Sequence, residues 1–204
     1  MMNKLGHVFL VDDDASIRNS ISRVLREAGY DVEAHSSASD FMEKSTPVFP
    51  AVILLDMQML SMTGLQLQEK LLRMGRGTPI VFISGHSQPQ EIVDALKKGA
   101  HDFLLKPFSM KTLLGAVSNA IAFDLQQSTE INQHADAKRR YSSLTAREQE
   151  VCDLLIKGLM NKDISQVLGI TDATVKVHKS HIMEKMQLGS VSELVRISIE
   201  AKLC

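Results

Sequence analysis

The segment Ala51, Val52, Ile53, Leu54, Leu55, Asp56 decides the fold. Five apolar residues without a polar break read as a strand buried on both faces, because a half-exposed strand alternates polar and apolar. The run ends in a carboxylate, and in open α/β sheets ligands bind beyond the carboxyl ends of the strands. Alone, such an Asp is as readily a cap or turn residue. What singles it out is a second strand that ends the same way.

That second run is Val8, Phe9, Leu10, Val11, leading into Asp12, Asp13 and Asp14. Ser16 is the expected cap of the next helix, whose apolar residues Ile17, Ile21, Val24, Leu25 and Ala28 keep helical spacing until Gly29 stops it. A weaker strand at 32–34, a short helix near Phe41, the strand to Asp56 and a helix over 64–74 follow. Pro79, Ile80, Val81, Phe82, Ile83 form a fourth buried strand ending at Ser84. A helix with Ile92, Val93 and Leu96 leads to a fifth strand, Phe103, Leu104, Leu105, ending at Lys106 and Pro107. A helix with Leu113, Leu114, Val117, Ala120 and Ile121 closes the series.

Five strands alternating with five helices predict an α/β, doubly wound, five-stranded parallel sheet. In the flavodoxin-like order 2-1-3-4-5, the ends of the first and third strands are neighbours. Asp12, Asp13 and Asp56 then meet, with Ser84 and Lys106 beside them. Carboxylates about 4 Å apart repel by roughly 4 kcal/mol at an effective dielectric of about 20, so the crevice calls for protons or a cation. Mg2+ suits it, being a hard ion that takes a few carboxylates and shares an oxygen with phosphoryl groups. A carboxylate there can become an aspartyl phosphate, with Lys106 neutralising charge and Ser84 hydrogen-bonding a phosphoryl oxygen.

Over residues 5–123 these positions resemble the receiver domain of bacterial response regulators. The resemblance implies that Asp56 is the phosphoacceptor, served by a sensor histidine kinase, and that the chain is no enzyme beyond its own phosphoryl transfer and dephosphorylation. It implies that Asp13 and Asp56 ligate Mg2+ with the Gln58 carbonyl, that Asp12 works through water, that Phe103 is the aromatic switch, and that Lys106–Pro107 is cis. One position departs from the family: Leu60 stands where Pro is usual, in a loop with Met57, Met59 and Met62, which predicts a less rigid loop.

The 23 basic and 24 acidic residues divide unevenly, 12 against 16 in residues 1–137 and the remaining 11 against 8 thereafter. The first part is thus acidic and the second tolerant of polyanions. No apolar run approaches the roughly 20 residues of a membrane span, and no secretory signal is evident, so a cytoplasmic protein is expected. Cys152 reads as a buried thiol and Cys204 as a chain-end residue, with neither disulfide nor metal role.

Residues 124–142 thin out in apolar content and read as a linker, either a solvated helix or a flexible tether. Thr145 and Glu148 then form a capping box for a helix with Val151, Leu154 and Leu155 inward. Asn161 is the expected cap of a short helix with Ile164, Val167 and Leu168 inward. Gly169 turns the chain, and Thr171 starts a helix with Val175, Ile182 and Met186 inward. Ser190 opens a fourth, with Leu194 and Ile197 inward. The predicted unit is a small all-α helix-turn-helix whose second helix enters the major groove, with Lys176, Val177, Lys179 and Ser180 outward. His178 lies near the buried stripe and reads as a boundary residue.

Residues 143–204, from Leu144, Thr145, Arg147, Glu148 through Asn161, Lys162, Ile164 to Thr174, Val175, Lys176, Val177, His178 and Lys185, resemble the LuxR-type DNA-binding domain. Joined to a receiver over 1–123, the chain resembles the NarL/FixJ family. Carried over, Lys176, Val177 and Ser180 face bases, while Asn161, Lys162, Thr174 and Lys179 approach the phosphate backbone. Promoter DNA, a sensor kinase, RNA polymerase and a second copy of the chain on phosphorylation are the implied partners, with no membrane. Two alternatives stand beside this reading: a dimeric regulator that never uses phosphate, and a phosphatase of the haloacid dehalogenase kind. The latter lacks its second acid, since position 58 is Gln58.

Overall fold

The computed structural model describes residues 5–85 and 88–203. In chain order its elements are β1 (His7–Val11), α1 (Ala15–Glu27), β2 (Asp31–His35), α2 (Ala38–Lys44), β3 (Ala51–Asp56), α3 (Gly64–Arg73) and β4 (Ile80–Ser84). Then come α4 (Pro89–Lys97), β5 (Asp102–Leu105), α5 (Met110–Ser142), α6 (Ala146–Ile156), α7 (Asn161–Leu168), α8 (Asp172–Met186) and α9 (Val191–Ala201). The chain separates into two compact units, Met1–Gln127 and Ser128–Cys204.

In the first unit the strands are parallel in the order β2-β1-β3-β4-β5. β3 is central and buried throughout. Its side chains alternate between two cores: Val52 and Leu54 pack with Val8, Leu10 and the α1 and α5 residues Leu25 and Val117. Ile53 and Leu55 pack with Phe9, Phe82, Phe41 of α2 and Leu67 of α3. Helices cover both faces, so the strand shows no polar alternation. Gly64 opens α3 at the strand end that carries Asp56. A Cβ there would stand 2.5 Å from the Asp56 carbonyl oxygen, so only glycine permits this approach.

Several local expectations change. Asp14, not Ser16, caps α1, accepting the N–H groups of Ser16 and Ile17 at 2.8 and 3.1 Å. Its carboxylate both satisfies those donors and suits the positive end of the helix. On α4 only Ala95 is buried, while Val93 and Leu96 are exposed. Met57 and Met59 are buried in the second core, with Met62 packed against it. Lys106–Pro107 is cis, and so is Phe49–Pro50. The stretch 124–142 is helical, part of α5. Asp124 on that helix accepts the N–H of Ala51 at 2.8 Å.

In the second unit α6 to α9 surround Val151, Cys152, Leu155, Ile164, Val175, Ile182 and Leu194. Cys152 is a buried free thiol; Cys204 lies outside the described residues. Gly169 ends α7 in the left-handed region, φ 64°, and Thr171 caps α8 by accepting the Thr174 N–H. Two expectations fail on α7. Asn161 is its first residue and Met160 the cap, its N–H taken by the Asp163 carboxylate at 3.3 Å. Val167 is exposed, while Ser165 is buried with its hydroxyl on the Lys162 carbonyl. At 100° per residue, the buried residues Ile164 and Ser165 and the half-buried Leu168 span about 100° and define one face, and Val167 falls outside it, about 60° beyond Ile164. Among the described residues no helix is long and apolar enough to cross a membrane.

Candidate functional site

β1 and β3 pair directly, so their carboxyl ends bring Asp12 and Asp56 together. Both are buried, and Lys106, from the end of β5, bridges them: its Nζ lies 3.1 Å from Asp12 Oδ2 and 2.9 Å from Asp56 Oδ1. The remaining oxygens accept backbone donors, Asp12 Oδ1 from Asp14 N–H and Asp56 Oδ2 from Gln58 N–H, each at 2.9 Å. Arg18 donates to the Asp12 carbonyl at 2.6 Å, fixing the loop from below. Asp13 is half-buried, and its Oδ2 accepts the Leu60 N–H at 3.0 Å.

Ser84 ends β4 and is buried; its carbonyl accepts the Lys106 N–H at 2.7 Å, which ties the two strand ends. Phe103 on β5 is half-buried, with its ring centroid 6.1 Å from that of Phe82. Burial pushes the Asp56 carboxyl above its usual range in spite of Lys106. Burial also works against the charge on Lys106, but its bonds to Asp56 and the field of both carboxylates hold its pKa above the usual value. One ammonium shared by two carboxylates leaves a negative charge uncompensated, and Asp13 adds another.

That surplus of two negative charges matches one divalent cation. Among the described residues no three carboxylate, imidazole or thiol groups converge on a single point. Lys106 stands between Asp12 and Asp56, and Leu60 holds Asp13. Mg2+ needs only one or two carboxylates and keeps several waters, so the oxygen donors present fit it.

In the second unit Lys176, Val177 and Ser180 are exposed on α8, and Thr174 and Lys179 are half-exposed on the same helix. Lys162 is exposed and Asn161 half-exposed at the start of α7. His178 is half-buried, at the boundary. Beneath them Glu148 is buried and accepts Lys185 Nζ at 2.6 Å and the Thr145 N–H at 2.8 Å. These partners, Lys185 first, hold its pKa at about 2. Arg147 donates to the Leu168 carbonyl at the end of α7. The capping box marked Glu148 in the sequence, but its bond to Lys185 depends on α6 packing on α8, which no local pattern encodes.

Residues 8–118 match the response regulator receiver domain, and residues 142–198 match the luxR family of bacterial regulatory proteins. The chain is a response regulator. It couples a receiver to a LuxR-type DNA-binding domain, and its relatives are transcriptional regulators of the NarL/FixJ type. The regulator is 39% identical to the response regulator protein TmoT of Ectopseudomonas mendocina, over 96% of this chain and 89% of TmoT. It is 35% identical to the tetrathionate response regulatory protein TtrR of Salmonella typhimurium, over 94% of this chain and 91% of TtrR. Among solved structures, the response regulator StyR matches with a TM-score of 0.79 at 40% identity, over 96% of this chain and 98% of StyR. Full-length FixJ from B. japonicum matches with a TM-score of 0.60 at 32% identity, over 99% and 100%. The family regulates transcription and is not a class of enzyme, and its receivers bind Mg2+ at an acidic site. DNA and a histidine kinase are the partners that this architecture implies.

Proposed function

We propose that the regulator is switched by phosphorylation of Asp56 and then binds promoter DNA as a homodimer. The receiver is assigned to residues 1–123, the connecting helical stretch to 124–142 and the DNA-binding domain to 143–204. The observation that carries this reading is the Lys106 ammonium shared between two buried carboxylates. A kinase phosphohistidine delivers its phosphoryl group to an Asp56 oxygen, the P–N bond breaking as the P–O bond forms, and the imidazole leaves. The same pocket later admits water for dephosphorylation; no other catalysis is assigned to the chain.

Asp13, Asp56 and the Gln58 carbonyl would hold Mg2+, with Asp12 acting through water. The ion supplies positive charge to the transferring phosphoryl group. Lys106 then turns from Asp56 toward a phosphoryl oxygen, the Ser84 hydroxyl donates to another, and the Phe103 ring moves into the space Ser84 vacates. Taking a 1:99 equilibrium to 99:1 needs about 5.5 kcal/mol of preferential stabilisation, shared between these contacts and dimerisation. Two copies present paired α8 helices to half-sites, Lys176, Val177 and Ser180 toward bases, Asn161, Lys162, Thr174 and Lys179 toward phosphates. The setting is the cytoplasm, with RNA polymerase as the downstream partner.

Intact mass, oligomeric state and promoter binding, each with and without acetyl phosphate and Mg2+, test the proposal. A gain of one phosphoryl group together with dimerisation and tighter DNA binding is expected. Phosphorylation without either response would overturn the gating. A second reading, a phosphate-independent dimer, has one observation in its favour, the engagement of Asp13 by the Leu60 N–H; absence of any mass gain would select it.

A further inference from the structure

Arg76 lies in the turn between α3 and β4, at the end of the sheet opposite Asp56. Its guanidinium carbon sits 4.7 Å from the Phe41 ring centroid and 5.0 Å from that of Phe9. Nη1 donates to Ser45 Oγ at 2.8 Å, whereas Nε and Nη2 are buried with no hydrogen-bond partner among the described residues. Glu33 is felt only at longer range, its two oxygens facing His35 at 2.9 Å and His7 at 3.6 Å. Arg76 is half-buried as a residue, and an arginine whose nitrogens are buried is ordinarily paired with an acid. Ring faces offset only part of that need.

Cavities of about 240 and 420 Å3 flank this turn, and Leu71, Arg76, Gly77 and Thr78 line both. The larger has apolar walls in Met42, Pro47, Leu71 and Met74. Its polar side chains are Arg76, Ser45 and Thr78, with no carboxylate among its lining residues. The cavity is an open groove, with Pro47, Met74, Gly75 and Gly77 exposed, and apolar walls with a few convergent donors are the usual form of a small-molecule site.

We propose that this cavity binds a small organic monocarboxylate with an apolar tail. The carboxylate accepts from Arg76 Nη1 and from the Ser45 hydroxyl, which accepts from the guanidinium and keeps its own proton to donate. The tail packs on Met42, Leu71 and Met74. Occupancy would give the receiver a second chemical input, at the end of the sheet remote from the phosphoacceptor.

Hexanoate titrated into the full-length protein, read by the backbone amide resonances of Gly75, Gly77 and Thr78, tests the site, with hexanamide as the neutral control. The charged hydrogen bonds should favour the acid by about tenfold or more. Arg76→Gln should remove that preference. Because Arg76 also packs between Phe9 and Phe41, Gly77→Leu provides an independent arm. Gly77 is not in the left-handed region and a Cβ there meets no atom within 4 Å, so leucine is accepted without moving the backbone, at a residue that lines the cavity and is placed to obstruct it. It should abolish hexanoate binding while acetyl phosphate still adds mass at Asp56. Equal binding of acid and amide, binding retained by Gly77→Leu, or no saturable shift with hexanoate would each overturn the proposal.

Discussion

The two units each place a lysine against buried carboxylate, and they do so with opposite arithmetic. In the second unit one lysine answers one carboxylate: Lys185 and the Thr145 N–H both meet Glu148 Oε2, His181 Nδ1 lies 3.9 Å from Oε1, and the charges of the Lys185–Glu148 pair balance, so the pair is closed. In the first, Lys106 is divided between Asp12 and Asp56, while the next carboxylate in the chain, Asp13, is met by the Leu60 N–H and, among the described residues, by no cation. A closed pair holds helices together. An open one is held in place by the sheet and is left able to gain a cation and a phosphoryl group.

The strongest way to break this contrast is Asp56→Ala. The fold should survive, since the strand's packing comes from Ile53, Leu54 and Leu55, yet acetyl phosphate should add no mass and promote no DNA binding. Dependence that persists would relocate the acceptor. Lys106→Met should act next most strongly by enlarging the negative surplus. Mg2+ affinity, read by calorimetry, is expected to rise by about tenfold, since one removed cation near such a site is worth about 1.4 kcal/mol or more. Response to acetyl phosphate should fall at the same time. Unchanged Mg2+ affinity would mean that Lys106 does not compete for these oxygens.

Lys185→Met probes the closed pair. Breaking a buried pair costs about 3–5 kcal/mol, but Lys185 is 39% exposed, so solvent screening reduces the expected loss to about 1–2 kcal/mol. The pH dependence has a definite sign. Glu148 is depressed in the folded state from 4.5 to about 2. Its stabilisation is therefore complete above pH about 4.5 and is lost as pH falls toward about 2. Hydrogen exchange in α6 and α8 of the full chain should show this acid-side loss in the parent protein and a weakened one in the variant. Identical profiles would mean that the pair forms no differently in the folded and unfolded chains.

How much of this was legible follows from the range of each interaction. The uninterrupted run at 51–56 encodes burial on both faces, and strand-end position then fixes the company of Asp56; the sheet order and the meeting of Asp12, Asp56 and Lys106 accordingly match expectation. Caps were harder, because Asp14 and Ser16 are both competent and only backbone geometry selects between them. Val167 was misplaced because three apolar residues do not define a face when a serine can bury by bonding Lys162. Arg76 carried no signal at all, since its setting depends on Phe9 arriving from β1 and on Phe41 and Ser45 arriving from α2 and its C-cap. The Met-rich loop likewise concealed that Met57 and Met59 are core residues.

Leu60 gives the smallest and most discriminating test. A proline there, as the family usually has, would carry no N–H, so the bond from Leu60 to Asp13 is possible only because the family residue is absent. Proline would take nothing else from the turn: Ser61 follows with φ 70° and the Met62 N–H donates to the Leu60 carbonyl at 2.9 Å, a γ-turn that uses the carbonyl of residue 60 and not its N–H. Leu60→Pro should therefore release Asp13 without distorting the loop. A net hydrogen bond of about 0.5–1.5 kcal/mol converts to a gain of roughly two- to tenfold in Mg2+ affinity, on the proposed assignment of Asp13 as a ligand. Proline should also raise the thermal midpoint slightly by restricting the unfolded chain. A midpoint that rises with Mg2+ affinity unchanged would show that the loop accepted proline and that Asp13 was never withheld from the metal. A gain in both would make the Leu60 N–H a standing brake on the pocket, one that this chain carries and a proline-bearing receiver cannot.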